Sequence, residues 1–378
     1  MIQLIKQFIK QSPQKGIPYS EFMSQVLYHP IHGYYMKDRE KVGKEGDFLT
    51  TPHIFPVFAK IMARFFSKAV AQGAVPPAIC EIGGGDGRFA YHVLREWEVF
   101  SPDTFSKLTY YVVEKSSYHQ QQQQQNLTAY PKLEYFHSLE ELKTAIGSFK
   151  GIVFSNEWFD ALPVEVIEQT EGELYEVWVS LDEFEELTEV LVPVKNEQIK
   201  RYADEYNLQL RDGQRMEVPL VMLEKLKELH DLFRQGMMVT IDYGYTFEEL
   251  RHPLHHRGSL RGYLRHQLIS NPLLHAGQMD LTAHIHLDSF IDEGKRLGAE
   301  AVSVQKQHEF LLAIGILDLL QEHAGANPFS DVSKQNRAIR SLVMDAGMSP
   351  HFHVIVQEKG IELNKDQLFT SNFLMKNG

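Results

Sequence analysis

Glycines are concentrated in one segment, Glu81-Ile82-Gly83-Gly84-Gly85-Asp86-Gly87. The segment follows a short apolar run and precedes a helix-like one. Glycines in such a turn adopt positive φ angles and let the backbone approach a ligand without interference from a Cβ. A dinucleotide fingerprint needs glycines at the first, third and sixth positions, but the sixth position counted from Gly83 is Arg88. The spacing is Glu-x-Gly-x-Gly-x-Gly, which disfavours a nicotinamide-dependent oxidoreductase.

An acidic residue, Glu114, ends the next predicted strand. The carboxyl edge of a parallel sheet is the usual ligand crevice, and a carboxylate there can accept two hydrogen bonds from ribose hydroxyls. The alternative is a solvated acid at a strand end. Its position relative to the glycines favours a ligand role.

A polar patch beside aromatic rings follows a later strand, in Ser155-Asn156-Glu157-Trp158-Phe159-Asp160-Ala161-Leu162-Pro163. Convergent polar groups next to apolar rings are typical of a binding site. We therefore expect Asn156, Glu157 and Asp160 to act in the site. The alternative is that the rings are core residues and that Asp160 caps a turn.

The elements that must position these residues alternate between strands and helices. The predicted strands are 78–82, 108–114, 133–136, 151–155, 237–242, 301–305 and 351–357, and the predicted helices include 88–100, 116–127, 220–234, 309–322 and 333–345. Strands separated by helix-length segments imply βαβ units and a mostly parallel sheet with helices on both faces. The fold class is α/β.

The chain has 378 residues, enough for one large domain with additions. We predict a helical N-terminal cover at 1–75, a core at 76–163 and 235–378, and a small β-rich insertion subdomain at 164–234. The segment from 247 to 283 lacks periodicity and predicts a long loop, which in a compact domain is usually functional or disordered.

Charge and cysteine content restrict the class of protein. The formal net charge is −12, with 38 Lys and Arg against 50 Asp and Glu. Nonspecific nucleic-acid binding, which needs clustered cations, is therefore disfavoured. No run reaches the 18 apolar residues of a membrane span, and the single cysteine, Cys80, indicates a reducing compartment. We expect a soluble, cytoplasmic protein without a membrane span.

Two polar segments predict solvent-exposed surface. Six consecutive glutamines, Gln120 to Gln125, lie on the predicted helix 116–127. His252, His255 and His256 have no neighbouring carboxylate or cysteine to complete a metal site, so we predict no metal. Arginines in the same loop, Arg261 among them, could close on a substrate or stay solvated.

The chain resembles the class I S-adenosylmethionine (SAM) methyltransferases, and within them the family of the mitochondrial complex I assembly protein that methylates an arginine. The resemblance runs from about His29 to His286. Its blocks are His32-Gly33-Tyr34-Tyr35, Gly46-Asp47-Phe48 with Thr51-Pro52, Glu81-Ile82-Gly83, Asn156-Glu157-Trp158-Phe159-Asp160-Ala161-Leu162-Pro163, Asp242-Tyr243-Gly244, Arg261-Gly262 and Asp280-Leu281-Thr282-Ala283.

The resemblance implies a Rossmann-like, seven-stranded sheet, SAM as cofactor and the following roles. The cofactor would contact Glu81, Gly83, Gly85, Gly87, Glu114 and Asn156; the methyl-transfer cleft would hold Asn156, Glu157 and Asp160; and the substrate loop set would be Asp47, Thr51, Arg261 and Asp280. Two positions depart from the family. Gly84-Gly85-Asp86-Gly87 stands where Pro-Gly-Arg-Gly is usual, and His53 replaces an acid after Thr51-Pro52.

Methyl transfer to a protein arginine is the first hypothesis, because a guanidinium with five donors suits bidentate contacts with Glu157 and Asp160. An acidic protein also suits a cationic acceptor segment. The second hypothesis is a noncatalytic assembly factor that keeps the fold and binds a partner. The acceptor protein and the oligomeric state are not specified by the sequence.

Overall fold

The computed structural model describes residues 1–38, 56–130, 132–322, 330–344 and 352–369. The chain divides into two compact units. The first unit comprises Met1–Leu49, Trp158–Lys227 and Tyr243–Glu293, and the second comprises Thr50–Glu157, Glu228–Asp242 and Gly294–Gly378. The division into a cover, a core and an insertion subdomain stays a prediction.

The described residues form these elements. The strands are β1 (Gly16–Pro18), β2 (Ala78–Ile82), β3 (Thr109–Val113), β4 (Leu133–Phe136), β5 (Phe149–Asn156), β6 (Glu165–Thr170), β7 (Glu173–Leu181), β8 (Leu187–Pro193), β9 (Arg215–Val218), β10 (Phe233–Tyr245), β11 (Arg261–Leu264), β12 (Gln267–Ile269), β13 (Asp280–Thr282), β14 (Ile285–His286), β15 (Glu300–Lys306) and β16 (Phe352–Lys359). The α-helices are Ile2–Gln11, Tyr19–Tyr28, Pro56–Ala71, Arg88–Phe100, Pro102–Phe105, Ser117–Asn126, Leu139–Ile146, Glu197–Glu205, Leu220–Leu232, Phe247–Arg251, Leu287–Arg296, Gln307–Ala313, Asp331–Val343 and Lys365–Leu368. Short 3₁₀ helices lie at Pro253–His255 and Ile316–Leu319.

A large sheet has the strand order β4-β3-β2-β5-β10-β16-β15, and these strands lie in the second unit except for the last three residues of β10. The pairs β4–β3, β3–β2, β2–β5 and β5–β10 are parallel, and β15–β16 is antiparallel. The short strand β14 adds an eighth member by pairing with the end of β10. The predicted α/β class with a mostly parallel seven-stranded sheet is confirmed.

Aromatic packing holds two helices against this sheet. The ring of Phe154 on β5 stacks on Phe89 at 4.4 Å between centroids and meets Phe66 edge-on at 5.6 Å. Phe89 belongs to the helix Arg88–Phe100 and Phe66 to the helix Pro56–Ala71. Cys80 on β2 is fully buried, and burial raises the pKa of its thiol, so it acts as a core residue.

An antiparallel sheet, β1-β7-β6-β9 with β8 paired to β7, forms part of the first unit. The helix Tyr19–Tyr28 buries Phe22, Met23, Val26 and Leu27 on one face, at the three- and four-residue spacing of an amphipathic helix. These side chains share a core cluster with Val179 of β7. The predicted β-rich character of the insertion is confirmed.

The predicted long loop at 247–283 is wrong. The helix Phe247–Arg251 begins there with a capping box between Thr246 and Glu249, and β11, β12 and β13 form a three-stranded antiparallel sheet. Strands of three or four residues are too short to show alternation of apolar and polar positions, so their pattern does not register in the sequence.

Candidate functional site

Three residues predicted for the site lie at the same edge of the large sheet. Val113, Ile82 and Ser155 are register partners across β3, β2 and β5. The residues that directly follow them are Glu114, Gly83 and Asn156. The carboxyl ends of these parallel strands therefore bring the acid, the glycine turn and the amide side by side.

The glycine turn has the backbone that its sequence predicts. Gly83, Gly85 and Gly87 have φ angles of +72°, +53° and +82°, which disfavour residues with a Cβ. A Cβ added to Gly84 would lie 2.5 Å from Cγ1 of Val112, whereas one added to Gly85 would meet no described atom within 4 Å. The turn packs tightly against the sheet at Gly84 and leaves open space beside the Cα of Gly85.

Glu114 is held in place by main-chain donors. Its Oε2 accepts a hydrogen bond from the Gly85 N–H at 3.0 Å, and its Oε1 accepts one from the Ser116 N–H at 2.8 Å. Each carboxylate oxygen has two lone pairs, so a second acceptor position is left on both. The geometry can receive a pair of hydroxyl donors.

Glu81 is a buried acid at the end of β2, with 4% of its surface exposed. Its Oε2 accepts a hydrogen bond from the hydroxyl of Tyr110 at 2.7 Å. Burial raises the pKa of Glu81 to about 8, with smaller contributions in the same direction from Glu114 and Asp86 and an opposing one from Tyr110. The carboxyl is therefore mainly protonated at neutral pH, and a neighbouring cation would favour its ionised form.

Glu157 has an unusual backbone for a residue with a Cβ. Its φ angle is +50°, and its N–H donates to the carbonyl of Ile241 at 2.9 Å. Its Oε1 accepts a hydrogen bond from Nδ2 of Asn156 at 2.9 Å, while Oδ1 of Asn156 is buried without a partner among the described residues. Backbone strain of this kind costs about 1–3 kcal/mol and clusters at functional sites.

The glutamine helix is not simply solvated surface, so that prediction is wrong for two residues. Gln123 is completely buried and Gln120 is 8% exposed. Nε2 of Gln123 donates to the carbonyl of Gly85 at 2.7 Å, and Nε2 of Gln120 donates to the carbonyl of Glu114 at 2.8 Å. The two residues are three positions apart and so lie on one helix face, but in a run of six glutamines the sequence does not indicate which face is buried.

A second cluster of predicted residues lies within the first unit. The hydroxyl of Tyr35 donates to Oδ1 of Asp280 at 2.6 Å. Asp280 and Asp160 are 1% and 3% exposed, and the carbonyl of Asp160 accepts a hydrogen bond from the Ala283 N–H at 2.9 Å. The pKa of Tyr35 is raised mainly by burial. Asp280 is the second cause, and Asp160 makes a smaller contribution in the same direction. Three sequence blocks thus form one acidic, hydrogen-bonded group.

Arg261 belongs to β11, opposite Thr282 of β13. Nη2 of Arg261 lies 2.8 Å from Nδ1 of His284, and the side chain of His284 is 3% exposed. Nε of Arg261 is buried without a hydrogen-bond partner among the described residues. His284 was not singled out from the sequence. Asp47 and Thr51, the other two residues predicted for the substrate loop, lie outside the described residues.

The histidines predicted as surface lie at the helix end and 3₁₀ turn near residue 253. His255 packs against Tyr245 at 4.3 Å between ring centroids. In the part of the chain that the structure describes, no group of three or more His, Cys, Asp or Glu side chains is arranged to hold a metal ion.

Comparison with protein families gives one match over most of the chain. Residues 58–303 match the model of a family described as "Putative S-adenosyl-L-methionine-dependent methyltransferase". The matched range contains the glycine turn, Glu114, the segment around Glu157, Arg261 and Asp280.

Curated relatives carry one name. The protein arginine methyltransferase NDUFAF7, mitochondrial, of Xenopus tropicalis is 25% identical over 370 residues, which cover 87% of this chain and 79% of the relative. The Rattus norvegicus protein of that name is 26% identical, covering 89% and 80%. The Drosophila melanogaster homolog is 27% identical, covering 71% and 64%.

Two solved structures from Burkholderia thailandensis share the fold. One, bound to S-adenosyl-homocysteine, superposes with a TM-score of 0.85 at 24% identity and covers 98% of this chain and 95% of its own. The other, a native structure, has a TM-score of 0.82 at 25% identity and covers 97% and 94%.

The predicted cytoplasmic location is wrong by the same comparisons, because the frog, rat and human relatives are named as mitochondrial proteins. A lone buried cysteine indicates only a reducing environment and does not separate one such compartment from another. Among the described residues no helix is both long and apolar enough to cross a membrane.

Proposed function

Because the chain belongs to the family of S-adenosyl-L-methionine-dependent methyltransferases, we propose that it transfers a methyl group to an arginine guanidinium in a protein. The chain is a class I methyltransferase, and SAM is its cofactor. The arginine acceptor and the protein substrate are supported by the names of the relatives.

The described residues fit this cofactor at the carboxyl edge of the large sheet. We assign cofactor binding to Glu81, Gly83, Gly85, Gly87, Glu114 and Asn156. Open space beside the Cα of Gly85, the remaining lone pairs of Glu114 and the Oδ1 of Asn156, which has no partner among the described residues, support the assignment. Glu114 would accept the ribose hydroxyls, and Glu81, once ionised, would attract the ammonium group of the methionyl end.

When bound, SAM supplies an activated methyl group on a sulfonium. Transfer forms a nitrogen–carbon bond, breaks the carbon–sulfur bond and leaves the electron pair on sulfur, while the guanidinium nitrogen loses a proton. We assign Glu157, Asp160 and Asn156 to this step. Glu157 would accept hydrogen bonds from the guanidinium, draw charge onto one nitrogen and take its proton, and Asn156 would orient that carboxylate through the contact at 2.9 Å.

Recognition of the acceptor is assigned to Asp280, Arg261, Asp47 and Thr51. Asp280 accepts a hydrogen bond from Tyr35, and Asp280 and Asp160 both contribute to raising the pKa of that tyrosine, so this part of the first unit contains buried acidic side chains. Buried acids attract a cationic segment because the interaction is weakly screened there. Arg261 would hold the adjoining strands in place through His284.

One observation carries the proposal: Glu114, Gly83 and Asn156 directly follow register partners on three neighbouring parallel strands. Isothermal titration with SAM tests it. We expect the wild type to bind and Glu114→Ala to bind at least tenfold more weakly, because a hydrogen bond to a charged group contributes about 1.5–3 kcal/mol. A folded wild-type protein that does not bind SAM would refute the cofactor site.

A noncatalytic role is tested separately with Glu157→Gln. The proposal expects this variant to bind SAM normally and to lose methyl transfer. Full biological activity of Glu157→Gln would instead favour a factor that works by binding a partner.

A further inference from the structure

Two buried glutamines connect the helix Ser117–Asn126 to the glycine turn and to Glu114. We propose that Gln123, assisted by Gln120, is a positioning residue for SAM binding. The inference rests on the proposed cofactor site and adds residues that the Glu-x-Gly-x-Gly-x-Gly pattern does not contain.

The contacts form a closed chain of hydrogen bonds. Nε2 of Gln123 donates to the carbonyl of Gly85 at 2.7 Å, and the N–H of the same glycine donates to Oε2 of Glu114 at 3.0 Å. Nε2 of Gln120 then donates to the carbonyl of Glu114 at 2.8 Å and returns the chain to the helix. One face of this helix therefore holds both the backbone of Gly85 and the backbone of Glu114 in place.

Only the amide donor of Gln123 can make its contact, because a main-chain carbonyl accepts and does not donate. The other end of the amide, Oε1, is buried and has no partner among the described residues. A buried acceptor without a donor is destabilising by about 1–3 kcal/mol. An apolar side chain of the same length would remove this orphan but would also take the donor from the Gly85 carbonyl, so the two effects on stability largely offset each other. The glutamine is explained by the position it gives Gly85.

Packing restricts which substitutions are informative. Gln123 is completely buried, so an informative replacement must keep its length and volume. Methionine matches glutamine in length and lacks both the donor and the orphan acceptor. Gln124, the next residue on the helix, is exposed, and Gln124→Met is a matched control.

The experiment is titration of SAM into the purified full chain, together with thermal unfolding in the absence of cofactor. We expect Gln123→Met to bind SAM about 3- to 10-fold more weakly, the range of one hydrogen bond, with a Tm close to that of the wild type. Gln124→Met should bind as the wild type does.

Gln123→Glu supplies a pH readout that loss of packing would not produce. Its ionised carboxylate opposes the Gly85 carbonyl, whereas its protonated form has a hydroxyl that can donate. Its affinity relative to the wild type at the same pH should therefore recover as the pH falls from 8 toward 5, while the relative affinity of Gln123→Met should stay flat. For Gln123→Met, which adds no charge, the ratio cancels the titration of Glu81. The carboxylate of Gln123→Glu would also raise the pKa of Glu81, because a Cβ on Gly84 would lie 3.2 Å from Nε2 of Gln123 and 3.5 Å from Cδ of Glu81. The ratio for Gln123→Glu is therefore also measured in the Glu81→Gln background.

The outcomes separate the inference from the proposed function. The positioning role would be overturned if Gln123→Met bound SAM with wild-type affinity. It would also be overturned if Gln123→Met had both a weaker affinity and a lower Tm while the affinity of Gln123→Glu did not recover at low pH. A wild type that binds no SAM would refute the proposed cofactor site and this inference with it. Weak binding at unchanged Tm with recovery at low pH supports both.

Discussion

The hydroxyl of Tyr110 donates a 2.7 Å hydrogen bond to Oε2 of Glu81, and both side chains are buried within the second unit. The contact gives this buried acid a hydrogen-bond donor. It lowers the pKa of Glu81, but burial outweighs it and raises that pKa to about 8. The first prediction follows from this balance.

The free energy of unfolding should fall with rising pH because of Glu81. An acid whose folded pKa is raised binds more protons in the folded state between its unfolded value, about 4.5, and its folded value, about 8. In that window the loss is at most about 1.4 kcal/mol per pH unit. Denaturant unfolding without SAM from pH 5 to 8 should show this loss in the wild type and not in Glu81→Gln.

The matched control is Glu98→Gln, which changes an exposed acid on a neighbouring helix. Its unfolding free energy should follow the wild-type pH profile. Parallel profiles for the wild type and Glu81→Gln would contradict the assignment of the pH dependence to Glu81.

Loss of the Glu114 carboxylate should weaken cofactor binding more than it weakens the fold. Glu114→Ala removes the proposed ribose acceptor and the partner of the Gly85 N–H, so SAM and S-adenosyl-homocysteine should both bind at least tenfold more weakly. Glu134→Ala, at an exposed position, is the control. Equal affinities for the two variants by calorimetry would place the ribose elsewhere.

Glycine at position 157 should separate stability from activity. Glu157 has a φ angle of +50°, which glycine adopts without steric cost. Glu157→Gly should therefore unfold at a temperature no lower than Glu157→Ala, while both lose methyl transfer because the carboxylate is gone. Thermal unfolding and transfer of labelled methyl groups measure the two effects. An active Glu157→Gly variant would remove Glu157 from the reaction.

Asp280 should influence the acceptor and not the cofactor. Asp280→Asn replaces a buried carboxyl group beside Tyr35 by an amide that cannot ionise, so KM for a cationic peptide acceptor should rise while the affinity for SAM stays within about twofold. Tyr35→Phe leaves that carboxylate with one donor fewer and should lower stability by about 1–3 kcal/mol. A changed SAM affinity in Asp280→Asn, or an unchanged KM, would argue against a role in acceptor recognition.

The sequence predicted the large sheet well because its strands are continuous apolar runs between helices. The glycine turn was predicted equally well, since Gly83, Gly85 and Gly87 all have the positive φ angles that their spacing indicates. The sheet around Arg261 was missed because its strands contain only three or four residues. No local sequence pattern predicts a contact such as the hydrogen bond between Tyr35 and Asp280, which are 245 positions apart.

Gln120 and Gln123 show a different limit of sequence reasoning. A run of identical residues hides helical periodicity, because every face of the helix has the same composition. Only the fold distinguishes buried Gln123 from exposed Gln124.

The central claim is methyl transfer from SAM to a protein arginine. In the most direct measurement, the purified chain is incubated with methyl-labelled SAM and with protein extract from cells that lack this chain. The labelled amino acid is then identified after complete hydrolysis of the proteins. We predict labelled methylarginine with the wild type and none with Glu157→Gln. Label on another amino acid, or no label with a folded wild type that binds SAM, would contradict the claim.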